Sequence, residues 1–231
     1  MKQIMTDRQI RIKALIKSII TYFDKHRDDM SGIEMTLRKL EKIDLSDQHI
    51  IDIKPIGTRH DKVLNRAISG IKAQRLDEIA SCLYAAKDDL VWHEDNSKYY
   101  QPGANLGPGY SKCNLHTLLI GPNSCGYQND DFLLGLFMLG PRTLYRDHKH
   151  DAPELYLNLT DQSGWRFKSG EWQDYPAGSF IWNAPGERHA ARVYEQPFIS
   201  VFAWLENVNS PCQVIHFDDW EKIEKALLSI E

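Results

Sequence analysis

Between residues 115 and 204 the chain breaks into short apolar runs, each long enough for a strand and too brief for a helix. The runs cover 115–120, 132–139, 154–159, 165–168, 179–182, 190–194 and 198–204. Turn-forming residues separate them, among them Gly121-Pro122-Asn123, Gly140-Pro141 and the stretch 161–164. Many short strands punctuated in this way predict an all-β sandwich or barrel for this half of the chain.

The first ninety residues have a different texture. Thr6 with Gln9 forms a capping-box pattern, and Ile12, Leu15, Ile16, Ile19 and Phe23 follow at helical spacing. Ser31 with Glu34 repeats the signal ahead of Met35, Leu37 and Leu40, and Leu76, Ile79, Leu83 and Ala86 mark a helix over 74–87. Trp220, Ile223, Ala226 and Leu227 predict a closing helix over 218–229. The expected organisation is therefore α+β: a helical region over 1–90 and a β barrel with a terminal helix over 91–231.

Composition narrows the function. Lys plus Arg is 28 against 32 for Asp plus Glu, a net charge of -4, so no overall basic footprint for nucleic acid exists. No apolar run can span a bilayer, since even the Ile-rich stretch 14–20 is interrupted by Lys17. The beginning of the chain has no signal-peptide pattern. The four cysteines (Cys82, Cys113, Cys125 and Cys212) lack CxxC spacing and read as reduced thiols of a cytoplasmic protein.

Most of the nine histidines are isolated. His26, His49, His60, His93, His116 and His216 read as ordinary surface or core residues. His148, His150 and His189 differ in their company. The segment around the first pair runs Tyr145-Arg-Asp-His148-Lys-His150-Asp-Ala-Pro-Glu154-Leu-Tyr156. Alternate residues of an extended segment share a face, so His148 and His150 point the same way, and Glu154 and Tyr156 do so on the next strand. Downstream, the Pro185-Gly186 turn places His189 at the start of another strand. Imidazoles with a carboxylate make a mixed nitrogen and oxygen set that suits Zn, Fe, Mn or Ni.

The pattern HxHxxxE, followed by G-x7-G-x2-H over Gly178, Gly186 and His189, resembles the two metal motifs of the cupin superfamily. The resemblance covers 133–205. It implies a double-stranded β-helix (a cupin or jelly-roll barrel) holding one divalent metal ion with His148, His150, Glu154 and His189. The chain departs from the motifs at Gly140, Ala184 and Val193, none of which is a ligand position. The longer string Tyr-x2-His-x-His-x3-Glu-x-Tyr, with the helical extension and the aromatic-rich strands (Trp165, Trp172, Trp182, Phe202, Trp204), is similar to the cupin-type dimethylsulfoniopropionate (DMSP) lyases of bacteria. That likeness implies a carbon–sulfur lyase that splits a zwitterionic sulfonium carboxylate into dimethyl sulfide and acrylate, with Tyr145 and Tyr156 as candidates for proton abstraction or metal contact.

Tyr156 shares the face of Glu154 and is the preferred base. Tyr145 is an odd number of residues from His148 and reaches the site only if a bulge re-aims it. Trp182, Phe180 or Trp204 are candidates to bind the sulfonium through an aromatic face. A cupin dioxygenase, a sugar-phosphate isomerase using Arg142, Arg146, Arg166, Arg188 or Arg192, and a non-enzymatic ligand-binding cupin are the alternatives. The expected partner is a small molecule, with no nucleic acid and no membrane. Many cupins are dimers, so a homodimer stays open.

Overall fold

The computed structural model describes residues 5–96, 99–168 and 170–229. Helices α1 (Asp7–Lys25), α2 (Ser31–Leu40), α3 (Asp61–Ser69) and α4 (Asp77–Ala86) precede a short α5 (Pro108–Lys112). Ten strands follow: β1 (Asn114–Ile120), β2 (Leu133–Leu139), β3 (Thr143–Lys149), β4 (Glu154–Asn158), β5 (Ser163–Phe167), β6 (Gln173–Tyr175), β7 (Phe180–Asn183), β8 (His189–Val193), β9 (Phe198–Trp204) and β10 (Gln213–Val214). Helix α6 (Trp220–Leu228) comes last. No helix among the described residues is long and apolar enough to cross a membrane.

The strands form two five-stranded antiparallel sheets, in the orders β1-β2-β9-β4-β7 and β10-β3-β8-β5-β6. Period-two alternation gives the first sheet two buried faces. Leu134, Leu136 and Met138 of β2, Leu155 and Leu157 of β4, and Ile199 and Val201 of β9 pack on one side with Ile12, Ile16, Ile19 and Leu83 of the helices. Phe137, Leu139, Tyr156, Ile181 and Phe198 turn the other way and join Tyr145, Trp165, Ala191 and Val193 of the second sheet. The second core lies between the sheets, and the site is built at one end of it.

Local signals account for part of this. The Thr6 capping box forms as expected: Gln9 N donates to Thr6 Oγ1 at 3.3 Å and Thr6 N donates to Gln9 Oε1 at 2.9 Å. The second one does not. Ser31 is already inside α2, whose N-cap is Met30 with no side-chain cap bond. The apolar runs passed over β3, because Arg146, Asp147, His148 and Lys149 interrupt its hydrophobic pattern. Helix α3 has only Leu64, Ala67 and Ile68 buried, too few to give a clear helical period in the sequence.

Candidate metal centre

His148 lies in β3 and His150 just beyond its end, both facing the space between the sheets. His189 opens β8 directly across from His148 in the β3–β8 register. The turn before it is tied to the first pair, because Gly186 N donates to the His150 carbonyl at 2.8 Å. Gly186 adopts φ +69°, a left-handed conformation that glycine accepts without strain. Ring nitrogens of the three histidines lie within 4.8 Å of one another, and all three residues are buried.

Each imidazole is oriented by one bond to the main chain. His148 Nδ1 donates to the Arg146 carbonyl at 2.8 Å, His150 Nδ1 to the Ala152 carbonyl at 2.9 Å, and His189 Nδ1 to the Glu187 carbonyl at 3.0 Å. A carbonyl only accepts, so Nδ1 carries a proton in all three, and in the neutral ring each Nε2 presents a lone pair. His189 Nε2 is buried without any hydrogen-bond partner. Glu154, at the start of β4, brings Oε2 to 3.2 Å from His150 Nε2 and 3.6 Å from His189 Nε2. Asn183 Nδ2 donates to Oε2 at 2.8 Å and Trp204 Nε1 donates to Oε1 at 2.7 Å. Converging lone pairs beside a carboxylate repel unless a cation stands between them, so these residues fit a divalent metal ion. The backbone-anchored Nδ1 atoms are the outer-shell arrangement that such ligands require.

Protonation states agree with this fit. Burial, aided by the neighbouring His150, pushes the His148 imidazole down to about 3, and burial with both neighbouring rings pushes His189 far below its usual range. For Glu154, burial works against ionisation, but positive charge on His150 or His189, together with the Asn183 amide, outweighs it and holds the carboxyl at about 2. Neutral imidazoles and an ionised carboxylate are the forms that bind metals.

His148, His150 and Glu154 form one wall of a cavity of about 110 Å³, lined also by Tyr100, Tyr110, Tyr145, Tyr156, Phe202 and Trp204. This is far below the roughly 300–1,000 Å³ of drug-sized sites and suits a small metabolite. Tyr145 does reach it. Its ring centroid is 4.2 Å from that of His148, because the β3–β8 register shifts between Tyr145 and His148. The Tyr145 hydroxyl hydrogen-bonds that of Tyr100, Tyr110 stacks on Tyr145 at 4.9 Å, and the Tyr110 hydroxyl donates to Asp95 Oδ2 at 2.8 Å. Burial raises the Tyr145 and Tyr156 hydroxyls well above the usual phenol range, assisted at Tyr145 by Tyr110 and at Tyr156 by Glu154. Both are neutral phenols unless a cation is close.

Tyr100, Tyr110, Asp95 and Asn183 are site residues that carried no sequence signal. His116, read as ordinary, lines the same cavity, with its Nε2 3.2 Å from the Tyr99 hydroxyl. Phe180 and Trp182 fall on the other face: Phe180 packs on Tyr22 and Phe23 of α1, and Trp182 lies against Gly32 of α2. Of the proposed sulfonium-binding rings only Trp204 is in the cavity, 4.4 Å from the His150 ring. Arg146, Arg166, Arg188 and Arg192 are engaged outside it with Glu224, Asp147, Asp219 and Asp174. Among the described residues the cavity lining includes no Arg or Lys, which leaves a phosphate no cationic side chain to pair with.

A family model described as dimethylsulfoniopropionate lyase matches residues 30–200. Two solved structures resemble most of the chain. One belongs to work on the DMSP lyases RdDddP and RnDddQII, with 12% identity and a TM-score of 0.66, covering 91% of this chain and 100% of that one. The other is the DMSP lyase DddQ from Ruegeria pomeroyi DSS-3, with 16% identity and a TM-score of 0.64, covering 86% and 94%. At these identities the likeness establishes a shared fold. No curated protein sequence matches the chain.

Proposed function

This chain belongs to the dimethylsulfoniopropionate lyase family, and from that membership we propose that it is a metal-dependent carbon–sulfur lyase acting on DMSP by β-elimination. The carrying observation is the set of three converging, backbone-anchored imidazoles beside a small, phenol-lined cavity. We read the two facing sheets as a double-stranded β-helix of the cupin kind, His148, His150, Glu154 and His189 as the ligands, and the cytoplasm of a bacterium as its place.

In the reaction, the proton next to the substrate carboxylate leaves its carbon, the new double bond forms, and the carbon–sulfur electron pair departs with neutral dimethyl sulfide. A divalent ion, whether Zn, Fe, Mn or Ni, supplies Lewis-acid stabilisation of the developing negative charge and favours the tyrosinate form of a nearby phenol. Tyr156 takes the proton in this reading, and Tyr145, held by Tyr100 and Tyr110, keeps the neighbouring hydroxyl in place. Trp204 offers an aromatic face to the sulfonium while its indole N–H steadies Glu154.

Proton NMR of the purified protein with DMSP tests the proposal. Acrylate and dimethyl sulfide should appear in equal amounts, at the same rate with or without oxygen. Unchanged DMSP, or turnover only with oxygen, contradicts it, and the second outcome points to the dioxygenase.

A further inference from the structure

The strand that carries His148 is not regular, and its irregularity is gripped from outside the cavity. From Tyr145 to His148 is three steps along β3, whereas their partners Ala191 and His189 are two steps apart on β8. The surplus residue is a β-bulge. It turns Arg146 and Asp147 outward while Tyr145 and His148 both face in.

Helix α6 holds both outward residues. Arg146 Nε and Nη2 donate to Glu224 Oε1 and Oε2 at 2.9 and 3.1 Å, and the guanidinium lies 4.7 Å over the Trp220 ring. The fully buried Asp147 carboxylate accepts from Trp220 Nε1 at 2.8 Å and from Arg166 Nη2 at 2.6 Å. Arg166 is fixed in turn by Asp219, the N-cap of α6. On the inner side, the Arg146 carbonyl is the acceptor that orients the His148 imidazole. Arg146 is thus gripped by its side chain on one face while its main chain aims a ligand on the other.

We propose that α6 is the positioning device of the metal centre: Trp220 and Glu224, acting through Asp147 and Arg146, hold the bulge that aims His148 and Tyr145 into the cavity. This rests on the metal reading of the site. Neither α6 residue lines the cavity, so both are positioning residues. Loss of an outer-shell partner characteristically weakens metal binding about 10–100-fold.

Cobalt(II) is the probe. Trp220→Phe removes the N–H and keeps an aromatic ring, Glu224→Gln removes the charge, and Leu83→Ala, in the helical layer far along the chain from β3, is the control. Each protein is read for Co²⁺ affinity against a competing chelator, for its visible cobalt spectrum, and for thermal midpoint. The expected result is roughly tenfold or greater weakening with an altered spectrum in both α6 variants. Leu83→Ala should keep wild-type affinity and spectrum despite a lower midpoint. Glu224→Gln decides the matter if Trp220→Phe does not fold. Wild-type affinity and spectrum in the α6 variants overturn the proposal, and so does equal weakening in Leu83→Ala. A wild-type protein that binds no cobalt instead brings down the metal reading itself, and the proposal with it.

Discussion

Each imidazole of the His148, His150 and His189 set is held by one bond at Nδ1, and that bond decides what Nε2 does. Of these three rings, His189 is the one whose Nε2 is buried with no hydrogen-bond partner, and His189→Ala removes it. The variant should lose most of its metal while keeping its fold by circular dichroism; full occupancy by metal analysis would show that the ligand set is wrong. Tyr156→Phe should lower kcat by roughly two orders of magnitude or more and remove the rise of rate with pH that ionisation of the tyrosine gives, since no tyrosinate can form. If Tyr156→Phe keeps its rate and Tyr145→Phe loses it, the two tyrosines exchange roles. Acid stability follows from the same residues. In the metal-free chain His148 stays unprotonated down to about 3, whereas an unfolded imidazole takes its proton near 6.5, so falling pH favours the unfolded chain. Glu154 adds the same sign between 4.5 and about 2. The thermal midpoint of the metal-free protein should therefore fall steadily from about pH 7 to about pH 4. A flat or rising profile contradicts the assigned protonation states.

At the scale of elements, strand alternation made part of the site legible. The spacing of His148 and His150 and that of Glu154 and Tyr156 follow from a period of two. Alternation does not say which face is inside when both are buried, and here the helices cover the outer face of the first sheet. That is why Phe180 and Trp182 read as cavity rings while Ile181 and Asn183 occupy the inner side. Tyr145 was illegible for another reason: its direction depends on a bulge fixed by α6, more than seventy residues downstream. Tyr100, Tyr110 and Asp95 sit in or near a non-periodic connection and left no pattern to read. These assignments separate two tryptophans. Trp182→Phe should leave KM and metal content unchanged, whereas Trp204→Phe, by releasing Glu154 Oε1, should lower metal affinity about tenfold or more. A rise in KM for Trp182→Phe would put that ring back in the substrate site. Gly32→Ala should cost about 1–3 kcal/mol in denaturant unfolding, because the added Cβ would stand 2.4 Å from Trp182 Cε3.

For the whole molecule, the expected boundary near residue 90 is a change of texture, while the packing runs across it. Ile12, Ile19 and Leu83 share one core with Leu134, Leu155 and Val201, so we propose that the helical region and the barrel unfold together. Helix content by circular dichroism and tryptophan fluorescence should follow one denaturation curve; two separated transitions contradict this. The same continuity makes the cavity a property of the entire fold, with its proposed ligands on or beside β3, β4 and β8 and its bulge held from α6. The central claim is that this fold holds one divalent ion that turnover requires. Metal-stripped protein titrated with a divalent ion, with bound metal and dimethyl sulfide release from DMSP measured on the same samples, tests it most directly. Release should rise in proportion to bound metal and level off at one ion per chain. Full release from the stripped protein, or complete loading with no release, would contradict the account.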